Sequence, residues 1–238
     1  ETGFDHHDVF EWFRDWAQDA DMHPVPWRVG DQEWGHVEHG FGKAAEQLWP
    51  FVRAQLKELV ADGLDGVRIT GHSKGGAVTY LLASLIQAEW PALRGRISVH
   101  AFAPAVSCDA GFIAQYDAHQ LSAQTYRYQV AHDLVPFVPL WSGVDVWRAV
   151  FTASPSHKLL WGAMMTGLYT MTRGGYGAPG QFAYFDTSHR VVENADVLKD
   201  ALPAVVEQIV AGHYAQIGAA HSATTSYLPC FQPSKAQA

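Results

Sequence analysis

Apolar residues recur at helical spacing in two stretches near the start of the chain. Residues 8–20 bring Val9, Phe10, Trp12, Phe13 and Trp16 to one side, and residues 40–62 do the same from Phe41 to Val60, which predicts two amphipathic helices, the second in spite of Pro50. Residues 21–35 hold Pro24, Pro26, Gly30 and Gly35 and read as an irregular loop. Val67-Arg68-Ile69-Thr70 is a short β-branched run that stops at Gly71, and helical spacing resumes over 74–89. Ile97 to Phe102 and Thr125 to Val130 read as further strands, ending before Pro104 and Asp133. Residues 140–175 are apolar and dotted with glycine. Phe182–Phe185 and His189–Val192 flank Asp186-Thr187-Ser188 as a hairpin, and 195–217 read as a final helix. Strands alternating with helices predict an α/β fold with a mostly parallel central sheet flanked by helices.

Composition narrows the function classes. The 238 residues carry 16 Lys+Arg against 24 Asp+Glu, a formal net charge of −8, and are 48% hydrophobic but only 17% charged. That balance excludes a disordered chain and makes nucleic acid a poor partner, because phosphate backbones call for a basic surface. The length suits a single domain over 1–238. No apolar run of about 18 residues marks a membrane span, and the polar start at Glu1 lacks the apolar segment of a signal peptide. The compartment stays open between secretion and the cytoplasm. Cys108 and Cys230 allow one bridge or two free thiols. His36 with His39, and His6 with His7, lack a third clustered ligand and read as surface histidines, so no metal and no cofactor is expected.

The chemistry-bearing stretch is Thr70-Gly71-His72-Ser73-Lys74-Gly75-Gly76-Ala77. It holds G-x-S-x-G between a predicted strand and a predicted helix, the context in which a tight turn lifts a serine hydroxyl clear of the sheet. Small residues two positions to either side accommodate the strained turn, and the following helix offers backbone N–H groups, Lys74 first, to a developing oxyanion. His72, next to the serine, is a candidate substrate contact. A serine nucleophile needs a base and a group to orient it, and on such sheets these follow in the order Ser, Asp or Glu, His. Asp133, just past a strand end, fits better than Asp109, Asp117 or Asp145. Among 13 histidines, His221 in the loop beyond the last helix is preferred as the base, with His213 as the alternative.

These motifs resemble the fungal-type (class 3) lipases, whose elbow reads T-G-H-S-x-G-G-A. Glu38-His39-Gly40-Phe41, Ala101-Phe102-Ala103-Pro104, His132-Asp133-Leu134-Val135-Pro136 and His221-Ser222 through Tyr227-Leu228 are similar, in order, to further segments of that family. The resemblance implies an α/β-hydrolase fold and a lipase or esterase cleaving acylglycerol-type or other acyl esters. Ser73 would be the nucleophile, Asp133 the orienting acid and His221 the base. It also implies a lipid or acyl-ester substrate and transient contact with a lipid interface. Residues 140–180 would be a lid or pocket insertion, against the plainer reading of a core helix, and the aromatic residues of 8–16, 27–51 and 137–185 an acyl-binding surface.

Lys74 departs from the leucine more usual after the serine. Glu11-Trp12-Phe13-Arg14-Asp15 is similar to the family's D-W-x-x-D helix, ahead of which a Gly-Thr strand end supplies the second oxyanion donor. Thr2, beside Gly3, is the candidate for that donor. Only ten residues precede the helix segment, so either N-terminal strands are missing from this chain or the oxyanion hole is incomplete, at a cost of about 10²–10³ in turnover. A non-catalytic hydrolase-fold binding module, and a phospholipase or acyltransferase with the same triad, are the rival readings.

Overall fold

In the computed structural model, residues 23–137, 175–192, 197–211 and 213–232 are described. The predicted helix over 8–20, Thr2 and most of the expected lid over 140–180 lie outside them.

The chain first forms an antiparallel hairpin, β1 (Pro24–Val29) and β2 (Gln32–Glu38), where an irregular loop was expected. Prolines are tolerated here because, among the described residues, β1 pairs on one side only and its register slips between Pro26 and Arg28. Gly30, at φ +61°, makes the tight reversal. What the sequence hides is burial: Trp27 and Trp34, at 3% and 2% exposure, anchor the hairpin in the core with Phe41. Trp27, Trp34 and Phe41 are therefore core and not the acyl-binding surface expected over 27–51, whereas Phe51 is 73% exposed.

The long helix α1 (His39–Ala61) follows directly, and its exposed Pro50 breaks only a solvent-side hydrogen bond. Then come β3 (Val67–His72), α2 (Lys74–Glu89), β4 (Ile97–Phe102), α3 (Ala110–Ala118) and β5 (Thr125–Val130). The spans of β4, β5 and α2 match the periodicity, whereas β3 runs two residues past its β-branched stretch and α3 had no clear sequence signal. After the gap in the description come β6 (Gln181–Phe185) and β7 (Val191–Val192), the expected hairpin. The order β3-β4-β5-β6-β7 is parallel through β6, with β7 antiparallel at the edge. Helix α2 packs on β3 and β4 and against α1, buried along almost its whole length. This is the mostly parallel α/β sheet that the alternation predicted.

The expected single helix over 195–217 is two, α4 (Val197–Val210) and α5 (Tyr214–Ala220). The break falls between Val210 and Tyr214, with Ala211 and His213 outside both helices. It lets the chain turn so that a π-helical turn, Ala223–Tyr227, returns to the C-terminal end of β5. Cys108 and Cys230 are both free thiols, Cys108 fully buried, which decides between the two alternatives left open by the sequence.

Candidate active site

The β3–α2 junction is strained where chemistry would need it to be. Ser73 has φ 58° and ψ −126°, a left-handed backbone rare for a residue with a side chain. The conformation is held from outside: the Ser73 N–H donates to the Phe102 carbonyl at the end of β4, at 2.9 Å. A Cβ on Gly71 would stand 2.4 Å from the Gly75 carbonyl oxygen, so glycine is required there. Gly75 differs, since an added Cβ would meet nothing within 4 Å. A Cβ on Gly76 would stand 3.2 Å from the Phe102 carbonyl oxygen and from Pro104, so glycine eases the close approach of α2 there.

The serine hydroxyl makes no capping bond to its helix. It lies 2.9 Å from His221 Nε2, and His221 Nδ1 is 3.1 Å from each carboxylate oxygen of Asp133. With the Nδ1–H donated to Asp133, the Nε2 lone pair faces the Ser73 hydroxyl and can receive its proton. His221 directly follows α5, and Asp133 follows β5 after His132, whose φ of 68° turns the chain at the strand end. Three of the expected side chains, remote in sequence, thus form one hydrogen-bonded line. The alternative base, His213, is exposed and bonds Gln208 Oε1 at 2.8 Å, separate from this line.

Asp133 has 0% exposure, so its charge must be fully satisfied. Besides His221, the Val135 N–H donates to Oδ1 at 2.9 Å and the Tyr227 hydroxyl donates to Oδ2. Tyr227 in turn accepts from the Val130 N–H at 3.3 Å, locking the π-helical turn onto β5. Burial, and then the Asp133 charge, push the Tyr227 phenol well above its usual value, so it stays a donor. Sequence reasoning assigned Tyr227 no role; its signal was a tyrosine in the loop that carries the base.

His72 packs its ring 4.7 Å from that of His221 and 5.6 Å from that of Tyr227. It therefore lies against the orienting groups, while its expected substrate contact is a separate matter that this packing does not supply. Burial, and next the charge of His221, hold the His72 imidazole below its usual 6.5. His100 on β4 is also lowered, by burial and then by Arg68. The unfolded chain therefore binds more protons than the folded one just below pH 6.5, and stability contributed by neutral His72 and His100 is lost as pH falls through that window. Burial raises Glu38 above 4.5, so its contribution has the opposite sign and fades as pH rises. Thermal denaturation from pH 7.5 down to 5.5 is expected to show a falling Tm, with a shallower fall in His100→Gln.

Glu38 caps α1, accepting from the Phe41 N–H at 2.7 Å, and is 1% exposed. Lys74 is exposed at the first position of α2, where its N–H has no partner within the helix. Among the described residues no three His, Cys, Asp or Glu side chains cluster as metal ligands, and no helix is long and apolar enough to cross a membrane.

A family model described as lipase (class 3) matches residues 11–143. The chain belongs to the class 3 lipase family. Solved structures agree on the α/β-hydrolase fold of the lipases. The Rhizomucor miehei lipase–propeptide complex superposes with a TM-score of 0.57 at 18% identity, over 82% of this chain and 55% of that one. Lipase II from Rhizopus niveus gives 0.52 at 18% identity, over 72% and 52%. A triacylglycerol lipase whose catalytic centre is described as a serine protease triad gives 0.54 at 20% identity, over 82% and 64%. The chain thus spans roughly half to two thirds of the length of these lipases. No curated protein sequence matches it significantly.

Proposed function

We propose that this class 3 lipase family member is a cofactor-free serine hydrolase of carboxylic esters, acting through an acyl-enzyme. The observation that supports this most is the unbroken line from the Ser73 hydroxyl through His221 to buried Asp133. Ser73 Oγ attacks the ester carbonyl while His221 Nε2 takes its proton, and the carbonyl oxygen becomes an oxyanion facing the Lys74 N–H. Collapse breaks the acyl C–O bond, and His221 returns the proton to the leaving alkoxide. Water, deprotonated by the same imidazole, then attacks the acyl-enzyme and releases the carboxylic acid and Ser73. Asp133 fixes the His221 tautomer and balances the imidazolium without becoming protonated. On this reading 1–238 is one domain, Thr2 is proposed as the second oxyanion donor and His72 as a substrate contact. Family membership favours acylglycerol-type or other acyl esters as substrates, at a lipid interface. The test is labelling by a fluorophosphonate probe, whose phosphorus only an activated serine attacks. Rapid labelling located at Ser73 is expected; a folded chain that stays unlabelled would favour a non-catalytic binding module.

A further inference from the structure

We propose that Lys74 makes this site selective for esters that carry a carboxylate or phosphate close to the scissile bond. The inference rests on the ester-hydrolase reading and concerns the substrate class of the same site. In that reading the Lys74 backbone N–H meets the oxyanion, so the root of its side chain lies beside the reacting carbonyl. A flexible four-carbon stem then carries a compact ammonium over neighbouring parts of the substrate.

Three observations make that charge available to a ligand. The Lys74 side chain is exposed and forms no ion pair with a carboxylate of the described residues. The carboxylate that does feel its charge, Glu38, is 1% exposed and held by the Phe41 N–H at the start of α1, so it is not free to swing out and neutralise the ammonium. The neighbouring position is open as well, since a Cβ on Gly75 would meet nothing within 4 Å. A neutral acyl chain gains little from an exposed ammonium in that position, whereas an anionic group gains a charge pair. The chain as a whole carries −8, so its overall field repels anions. The preference is therefore a short-range property of Lys74 and not long-range steering.

The test is a ratio, kcat/KM on an anionic ester over kcat/KM on its neutral counterpart, for the wild type, Lys74→Leu and Lys74→Arg. One arm places the charge on the acyl side, comparing p-nitrophenyl hemiglutarate with p-nitrophenyl pentanoate. The other places it on the alcohol side, comparing a monobutanoyl glycerol phosphate with monobutanoyl glycerol. In at least one arm Lys74→Leu is expected to lower the ratio about tenfold, the size of a partly screened charge pair, while Lys74→Arg keeps it. High salt should lower the wild-type ratio and leave that of Lys74→Leu unmoved. The responding arm identifies which side of the ester carries the anion. Ratios unchanged by Lys74→Leu in both arms overturn this proposal alone, since turnover itself would uphold the hydrolase reading. A folded wild type that turns over none of the four esters overturns both.

Discussion

Ser73→Ala is expected to lower p-nitrophenyl ester turnover by about 10⁴-fold or more, with the fold intact. The substitution deletes the atom that would form the acyl-enzyme, and His221, still held by Asp133, is left with no hydroxyl to deprotonate. The structural cost is small, since the hydroxyl makes no capping bond to α2 and its hydrogen-bond partner, His221, is also held by Asp133. Alanine meets the same strain at φ 58° that serine does, and Tm should move by no more than about 3 °C. Circular dichroism and thermal melts alongside the assay separate the two effects. Retained turnover in the alanine variant would mean that another group is the nucleophile.

The elbow was legible in the sequence because its requirements are local. A strand, a tight turn and a helix each leave a periodic or compositional mark, and Gly71 is dictated by an atom four residues away, the Gly75 carbonyl. Asp133 could be read from its place just beyond a strand. The hairpin of β1 and β2 was not legible, since its prolines and glycines carry the same signal as a loop. What makes it a hairpin is non-local: the burial of Trp27 and Trp34, and the Glu38 N–H bonding the Ser107 carbonyl at 2.9 Å. Gly75 shows the converse error, where a motif position expected to be sterically required has open space. The role of Tyr227 was hidden for the same reason as the hairpin. Nothing local distinguishes a tyrosine that reaches back 94 residues to Asp133 from one that merely fills the core.

That convergence on Asp133 sets the second large effect. Asp133→Asn is expected to lower turnover about 10⁴-fold, comparable to loss of the nucleophile, while keeping nearly the same shape. An amide offers one acceptor oxygen and one NH₂ where the carboxylate offers two acceptors. Three donors face the group: the His221 Nδ1–H, the Val135 N–H and the Tyr227 hydroxyl. If the oxygen keeps Val135, the NH₂ faces Tyr227 and competes for His221, driving the proton from Nδ1 to Nε2, where it can no longer accept from Ser73. The opposite flip strands the Val135 N–H in a pocket of 0% exposure. Either way a buried donor loses its acceptor, at about 1–3 kcal/mol, so Tm should also fall, unlike in Ser73→Ala. Adding Tyr227→Phe removes one of the competing donors. It also strands the Val130 N–H, which donates to that hydroxyl, so the double variant should recover neither Tm nor turnover, and the tautomer of His221 still lacks its carboxylate. A Tm higher in the double variant than in Asp133→Asn would show that the Tyr227 hydroxyl does not hold β5 and Asp133 together as the structure places it.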